Sequence, residues 1–225
     1  MLDALIFDFD GVIVDSEPIH LAAFGAVLLR RGLSLSAQDY YAKYLGYDDH
    51  DCFTHVLLDQ GKEADEKAIA AMTAEKTVLV QQQLTRSSQA LPGAVELMRQ
   101  AKAAGAGLAI CSGALREEIL IAGRAVGAVQ LVDVLVAARD VQRGKPDPEG
   151  YLLARRLLGE KLARPIRSAW VVEDSPAGIE AAKGADCRVL AVTNSYSSEA
   201  LRAADRIVTS LATVDISDFG FQISD

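Results

Sequence analysis

Residues 4–12 read Ala4-Leu5-Ile6-Phe7-Asp8-Phe9-Asp10-Gly11-Val12, an apolar run that ends in two aspartates and a glycine. A short continuous apolar run of this kind suits a strand buried on both faces, as in a parallel sheet covered by helices. Beyond Ala4 to Phe9, similar runs recur at Gly107 to Cys111, Val132 to Ala137, Ala169 to Val172, Arg188 to Val192 and Arg206 to Val208. Amphipathic segments with helical spacing fall near Ala94 to Ala104, Glu117 to Val126, Pro148 to Leu158, Ala177 to Lys183 and Ser198 to Ala203, with Gly or Pro at several boundaries. The alternation predicts an α/β fold, a Rossmann-like parallel sheet with helices on both faces.

The alternation breaks once. Between the first strand and Pro92-Gly93 lie roughly seventy residues of helical patterning with no buried strand, far longer than a usual crossover. This predicts an inserted all-helical cap domain over 16–89, with 1–15 and 90–225 forming the catalytic core. The last cap helix is expected near Asp65 to Leu84, and Arg86-Ser87-Ser88-Gln89 reads as the return linker.

Composition narrows the function. The chain of 225 residues is half hydrophobic and 24% charged, which fits a packed soluble protein. A net charge of -8 disfavours nucleic acid or an anionic membrane as partner, since both demand a concentrated basic face. Cys52, Cys111 and Cys187 form no CxxC and no close pair, so neither a disulfide framework nor a zinc cluster is indicated, and a reducing cytoplasm is the expected location. The apolar stretch at the N-terminus is too short for a signal or membrane segment. Oligomeric state is not readable, and a monomer is the default expectation.

Four strand exits carry polar groups. At the first, Asp8 and Asp10 can converge as the chain turns at Gly11; two such anions need a cation, or one must keep a proton, unless they merely cap a turn. The second ends in Ser112-Gly113-Ala114, whose hydroxyl and backbone amides can hold phosphate oxygens, or whose serine can cap the next helix. After the third comes Gly144-Lys145-Pro146, a lysine held between turn residues that can screen a phosphoryl group or simply be solvated. The fourth gives Glu173-Asp174-Ser175-Pro176, an acidic pair suited to a hard divalent ion or to a helix N-cap. In a parallel sheet the strand carboxyl ends share one crevice, so the four together describe a site for a phosphate dianion and Mg²⁺.

The series DFDGVIVDSEP from Asp8, ICSGA from Ile110, GKPDP from Gly144 and VVEDSPAGIEAA from Val171 resembles the four motifs of the haloacid dehalogenase superfamily. The long helical insertion is similar to the small cap of the subgroup that holds β-phosphoglucomutases and metabolite phosphatases. The resemblance implies that Asp8 attacks phosphorus to form an aspartyl phosphate, while Asp10 protonates the leaving oxygen and later activates water. It implies that Ser112 and Lys145 hold the phosphoryl group. Asp8, Asp174 and the backbone carbonyl of Asp10 would ligate Mg²⁺, with Glu173 direct or through water. It implies a Mg²⁺-dependent phosphatase of small phosphorylated metabolites, a phosphoric monoester hydrolase, with a sugar-phosphate mutase as the alternative.

Substrate choice is expected in the cap. His20 and Lys76 stand where related mutases keep a histidine and a lysine near the acid/base, although both could be ordinary surface residues. Those mutases also carry a loop arginine that grips a second phosphate, whereas Gly46-Tyr47-Asp48-Asp49-His50-Asp51 is acidic here. An anionic loop should repel a bisphosphate, so Asp49 is expected to favour a monophosphate with a neutral, polar or cationic remainder. A signalling receiver module has similar groups but a different chain order, with its lysine last. A catalytically silent binding protein is a third reading. The cap is expected to close over Asp8, with hinges near Val14 to Glu17 and Arg86 to Ala90.

Overall fold

The computed structural model describes residues 3–220. The chain divides into two compact units, one formed by the chain up to Asp15 and from Ser88 onward, the other by Ser16–Ser87. In chain order the elements are β1 (Ala4–Phe7), α1 (Glu17–Leu29), α2 (Ala37–Asp39), a π-helical turn (Tyr40–Tyr44), α3 (Asp49–Asp59), α4 (Glu66–Ser87), α5 (Ala94–Ala103), β2 (Gly107–Cys111) and α6 (Arg116–Ala125). There follow β3 (Val134–Val136), α7 (Glu149–Leu162), β4 (Ala169–Glu173), α8 (Pro176–Gly184), β5 (Arg188–Val192) and β6 (Arg206–Val208).

The first unit is built on a six-stranded sheet of order β3-β2-β1-β4-β5-β6. Every neighbouring pair in it is parallel. Alternate residues face opposite sides. Ala4 and Ile6, Ala109 and Cys111, Ala169 and Val171, and Val189 and Ala191 meet Tyr151, Ala154 and Leu158 of α7 and Ile179, Ala181 and Ala182 of α8. The intervening residues, including Leu5, Phe7, Leu108, Ile110, Trp170 and Val172, are buried too, with α5 packed beside β2. Burial on both faces is why these strands read as unbroken apolar runs. The strand order reverses between β1 and β4, and in open parallel sheets such a switch point opens a crevice at the strand carboxyl ends.

The second unit is helical, packing Phe24, Val27 and Leu28 of α1 against Phe53 and Val56 of α3 and Ile69 and Met72 of α4. Among the described residues no helix is long and apolar enough to cross a membrane.

Several elements differ from the sequence expectation, among them α7, which runs on to Leu162. β1 stops at Phe7 rather than Phe9, because the Phe9 carbonyl turns to accept the N–H groups of Ile13 (2.8 Å) and Val14 (3.1 Å). α4 runs to Ser87, so Arg86 and Ser87 belong to the helix and not to the linker. There the Thr85 and Ser87 hydroxyls donate back to the Gln81 and Gln83 carbonyls, continuing the helical surface. Ser198 to Ala203 forms successive turns instead of a helix; within it only Leu201 is buried, too small an apolar face to hold one. Beyond the turn, Val14 pairs antiparallel with Ala90, and the Leu91 N–H donates to the Ile13 carbonyl at 2.9 Å.

Candidate active site

Asp8 is the first residue past β1, and its N–H still bonds the Val172 carbonyl at 2.9 Å, which anchors it beside β4. Gly11 then takes φ +71°, a left-handed conformation that favours glycine. A Cβ there would also meet the Asp174 carboxylate and lie 2.8 Å from the Ser195 hydroxyl, so Gly11 lets the turn lie directly against Asp174.

The structure brings Asp8, Glu173 and Asp174 together, each able to offer an oxygen within 4.8 Å of the others. All three are buried. Lys145 stands among them, its Nζ 2.9 Å from Asp8 Oδ1 and 2.6 Å from Glu173 Oε1. The Lys145 ammonium is thus the positive charge that faces the buried Asp8 Oδ1. Ser112, at the end of β2, donates toward Asp10 Oδ2 at 3.5 Å, the outer limit of a hydrogen bond, and accepts the Ala114 N–H at 3.0 Å. A side chain at Gly113 would meet nothing, so this loop borders open space.

Glu173 differs from its neighbours. Its Oε1 accepts from Lys145 and from the Tyr151 hydroxyl (2.8 Å). Its Oε2 accepts the N–H groups of Asp174 (2.8 Å) and Ser175 (3.0 Å) and the Ser175 hydroxyl (3.0 Å). A carboxylate has about four lone-pair sites, so protein donors already saturate Glu173. Gly178 makes room for this arrangement, since a Cβ there would overlap the Glu173 carboxylate. Ser175 meanwhile caps α8 by accepting the Gly178 N–H at 3.1 Å.

The charges follow from burial. Burial pushes the Asp8 carboxyl up to about 7, with Lys145 pulling against it and Glu173 adding to the push. Burial likewise raises Asp174 well above the usual carboxylate range, helped by Glu173 and Asp8. Burial would raise Glu173 as well, but Lys145, the Ser175 N–H and Tyr151 outweigh it and hold the group low. Burial disfavours the Lys145 ammonium, yet Asp8 and Glu173 together hold its pKa above the ordinary value. Three buried carboxylates thus crowd around one lysine, leaving more negative than positive charge. That donor set fits a hard divalent cation.

In the second unit the structure brings His20, Asp49 and Lys76 together. Lys76 is 2% exposed. Its Nζ lies 2.9 Å from His20 Nδ1, pairs with the Asp49 carboxylate and sits 4.2 Å from the centre of the Phe24 ring. Burial and the Lys76 charge push His20 down to about 3, so its ring is neutral. The stretch Gly46 to Asp51 is only partly a loop. Asp48 caps α3 by accepting the Asp51 N–H at 2.8 Å, and Asp49 is that helix's first residue.

A family model for the haloacid dehalogenase-like hydrolases matches residues 2–186. The chain belongs to that family. Validoxylamine A 7'-phosphate phosphatase of Streptomyces hygroscopicus subsp. limoneus is 31% identical over 215 residues, covering 95% of this hydrolase and 96% of the relative. Hexitol phosphatase A of Escherichia coli K12 is 32% identical over 214 residues, covering 94% and 92%. The expected class, a phosphoric monoester hydrolase, is the class of both relatives. CbbY from Rhodobacter sphaeroides, solved with phosphate, superposes with a TM-score of 0.84 at 26% identity, covering 98% of this chain and 100% of that one. A second structure of CbbY holds xylulose-(1,5)bisphosphate, again with a TM-score of 0.84 at 26% identity, covering 97% and 99%.

Sequence reasoning missed three side chains of the hydrolase's site. Tyr151 lies on α7, 22 residues from Glu173, and reads from sequence as an ordinary core aromatic. Asn194 and Ser195 follow β5, where the Asn194 amide donates to the Gly11 carbonyl at 2.8 Å and the Ser195 hydroxyl donates to Asp174 Oδ2. The rule that strand carboxyl ends converge would have flagged this fifth exit. Tyr151→Phe is expected to cost about 1–3 kcal/mol of stability, because the buried Glu173 oxygen loses a donor that water cannot replace. Urea denaturation would measure it, and an unchanged midpoint would show that the bond contributes nothing.

Proposed function

We propose that this hydrolase removes phosphate from small phosphorylated sugars or polyols, using Asp8 as nucleophile and Mg²⁺ as cofactor. The supporting observation is the buried cluster of Asp8, Glu173 and Asp174 at the β1–β4 switch point, with Lys145 2.9 Å from Asp8 Oδ1. Asp8 attacks phosphorus and forms an aspartyl phosphate as the ester bond to the leaving oxygen breaks, and Asp10 gives that oxygen its proton. Asp10 then takes a proton from water, whose oxygen attacks phosphorus and releases phosphate and the free Asp8 carboxylate. Ser112 and Lys145 hold the oxygens that are not exchanged, with the amides of Gly113 and Ala114 bordering the same loop. Asp8, Asp174 and the Asp10 carbonyl would hold Mg²⁺, while Glu173, saturated by protein donors, would hold Lys145 and the Ser175 turn in place beside them. The ion supplies positive charge that favours ionised Asp8 and offsets charge on the phosphoryl oxygens.

On the second unit, Asp49 occupies the one buried ammonium, Lys76, and so removes a cation that could grip a second phosphate. Repulsion by a bare acidic loop is the weaker argument, because Asp48 is spent on a helix cap and Asp49 on Lys76. The relatives named for validoxylamine A 7'-phosphate and for hexitols favour a polyhydroxylated remainder. Asp49→Arg is expected to shift relative kcat/KM toward a sugar bisphosphate by about tenfold, the worth of about 1.4 kcal/mol. An unchanged ratio across monophosphates and bisphosphates would remove Asp49 from substrate selection. Buried free thiols at Cys52, Cys111 and Cys187 suit a reducing cytoplasm.

A second reading, a sugar-phosphate mutase, is favoured by the contact between His20 and Lys76. Incubation with Mg²⁺ and a panel of phosphorylated metabolites, β-glucose 1-phosphate among them, separates the two. Free phosphate supports the phosphatase. Glucose 6-phosphate without free phosphate makes the protein a mutase, and the absence of both products counts toward the binding-protein reading.

A further inference from the structure

The loop after β5 is tied at three places. Its base is held by the Thr193 N–H, which donates to the Val208 carbonyl of β6 at 3.0 Å. Its next two side chains then reach the same turn, Asn194 to the Gly11 carbonyl at 2.8 Å and Ser195 to Asp174 Oδ2. Gly11 is itself held from the other side, for its N–H donates to the Val14 carbonyl at 2.9 Å. The peptide joining Asp10 to Gly11 is therefore fixed through its N–H, and the following peptide through its carbonyl. That leaves the Asp10 carbonyl little freedom to rotate. The Ser195 hydroxyl does the same for Asp174, setting which carboxylate oxygen it engages and which is presented elsewhere. Both ties come from residues 194 and 195, which are far in sequence from the residues they hold.

We propose that Asn194 and Ser195 are positioning residues for the divalent cation, holding the Asp10–Gly11 turn and the Asp174 carboxylate in the geometry that binds it. This rests on the Mg²⁺ reading of the site. Groups that orient metal ligands without touching the metal commonly contribute 10–100-fold to affinity. A hydroxyl that spans β4 and β5 and an amide that spans β5 and the β1 turn prepay the ordering of two ligands that the cation would otherwise have to organise.

The test is isothermal titration of the chelator-stripped full chain with Mg²⁺, alongside the melting temperature of the metal-free protein. Ser195→Ala is expected to weaken the Mg²⁺ dissociation constant by at least about tenfold, and Ser195→Thr, which keeps the hydroxyl, to restore most of it. Asn194→Ala, at an exposed position, is expected to weaken the same constant by a few-fold, and it decides the matter if Ser195→Ala does not fold. A dissociation constant equal to that of the wild type in folded Ser195→Ala or Asn194→Ala overturns the proposal, even if the melting temperature falls. Failure of the wild type itself to bind Mg²⁺ overturns the cofactor reading and this inference with it, a result distinct from normal binding in wild type and variants alike.

Discussion

Asp8→Asn is expected to lower kcat for phosphate release by at least about 10⁴-fold, the scale seen when a catalytic nucleophile is removed. The amide keeps the shape of the carboxyl but cannot form the acyl phosphate, because its oxygen carries no charge and its nitrogen lone pair is delocalised. The fold should survive the change. The Asp8 N–H still bonds the Val172 carbonyl, and Lys145 keeps Glu173 at 2.6 Å. Single-turnover phosphate release, with circular dichroism to verify folding, gives the answer. A folded variant that retains a tenth of the wild-type rate would mean that Asp8 is not the nucleophile, and the acidic centre would then need another chemical role.

Lys145→Ala is expected to damage both activity and stability. Removing one member of a buried charge cluster typically costs about 3–5 kcal/mol, because its partners are left uncompensated. Here those partners are Glu173, fully buried, and Asp8. In wild type the Lys145 pKa is held above its ordinary value, so its stabilising contribution is present throughout the neutral range and disappears only at strongly alkaline pH. In the variant the carboxylates lose the charge that pulls their pKa values down. A raised folded-state carboxyl pKa stabilises at low pH and loses that contribution as pH rises. The loss in Lys145→Ala should therefore grow from pH 5 to pH 8 in the presence of chelator. Denaturation curves at the two pH values test this; an equal loss at both would show that the carboxylates do not take up protons when the lysine is gone. Phosphate release should fall by about 10²–10³-fold, the effect of removing one positioned group that stabilises developing charge.

The acidic centre also shows how far local pattern reaches. Glu173 and Asp174 are adjacent, and Ser175 with Pro176 announces a helix start, so the turn that wraps Glu173 in its own backbone N–H groups is a neighbourhood property. Continuous apolar runs such as Ala4 to Phe7 and Ala169 to Val172 identify two-sided burial for the same reason, because each strand residue must meet a covered face whichever way it points. The segment Ser198 to Ala203 marks the limit. Its composition favours a helix, but a single buried Leu201 does not supply the packing that would stabilise one.

From the sequence alone came the α/β class, a helical insertion placed at residues 16–89, and the acids, hydroxyl and lysine at four strand exits, whereas the structure ends the helical unit at Ser87. These depend on hydropathy period, turn chemistry and capping, all set within a few residues. Tertiary structure decided the rest. Placing β1 between β2 and β4 set Asp8 beside Asp174 and within reach of Lys145. Packing α7 beneath the sheet brought the Tyr151 hydroxyl to Glu173, and the register of β5 against β4 brought Ser195 to Asp174 across 21 residues. In the second unit, the packing of α1, α3 and α4 joined Lys76 to Asp49 and His20. Hydropathy period says which face of an element is buried, but the partner across that face is chosen by packing among distant elements, and the charges of the site are set by the burial that this packing creates.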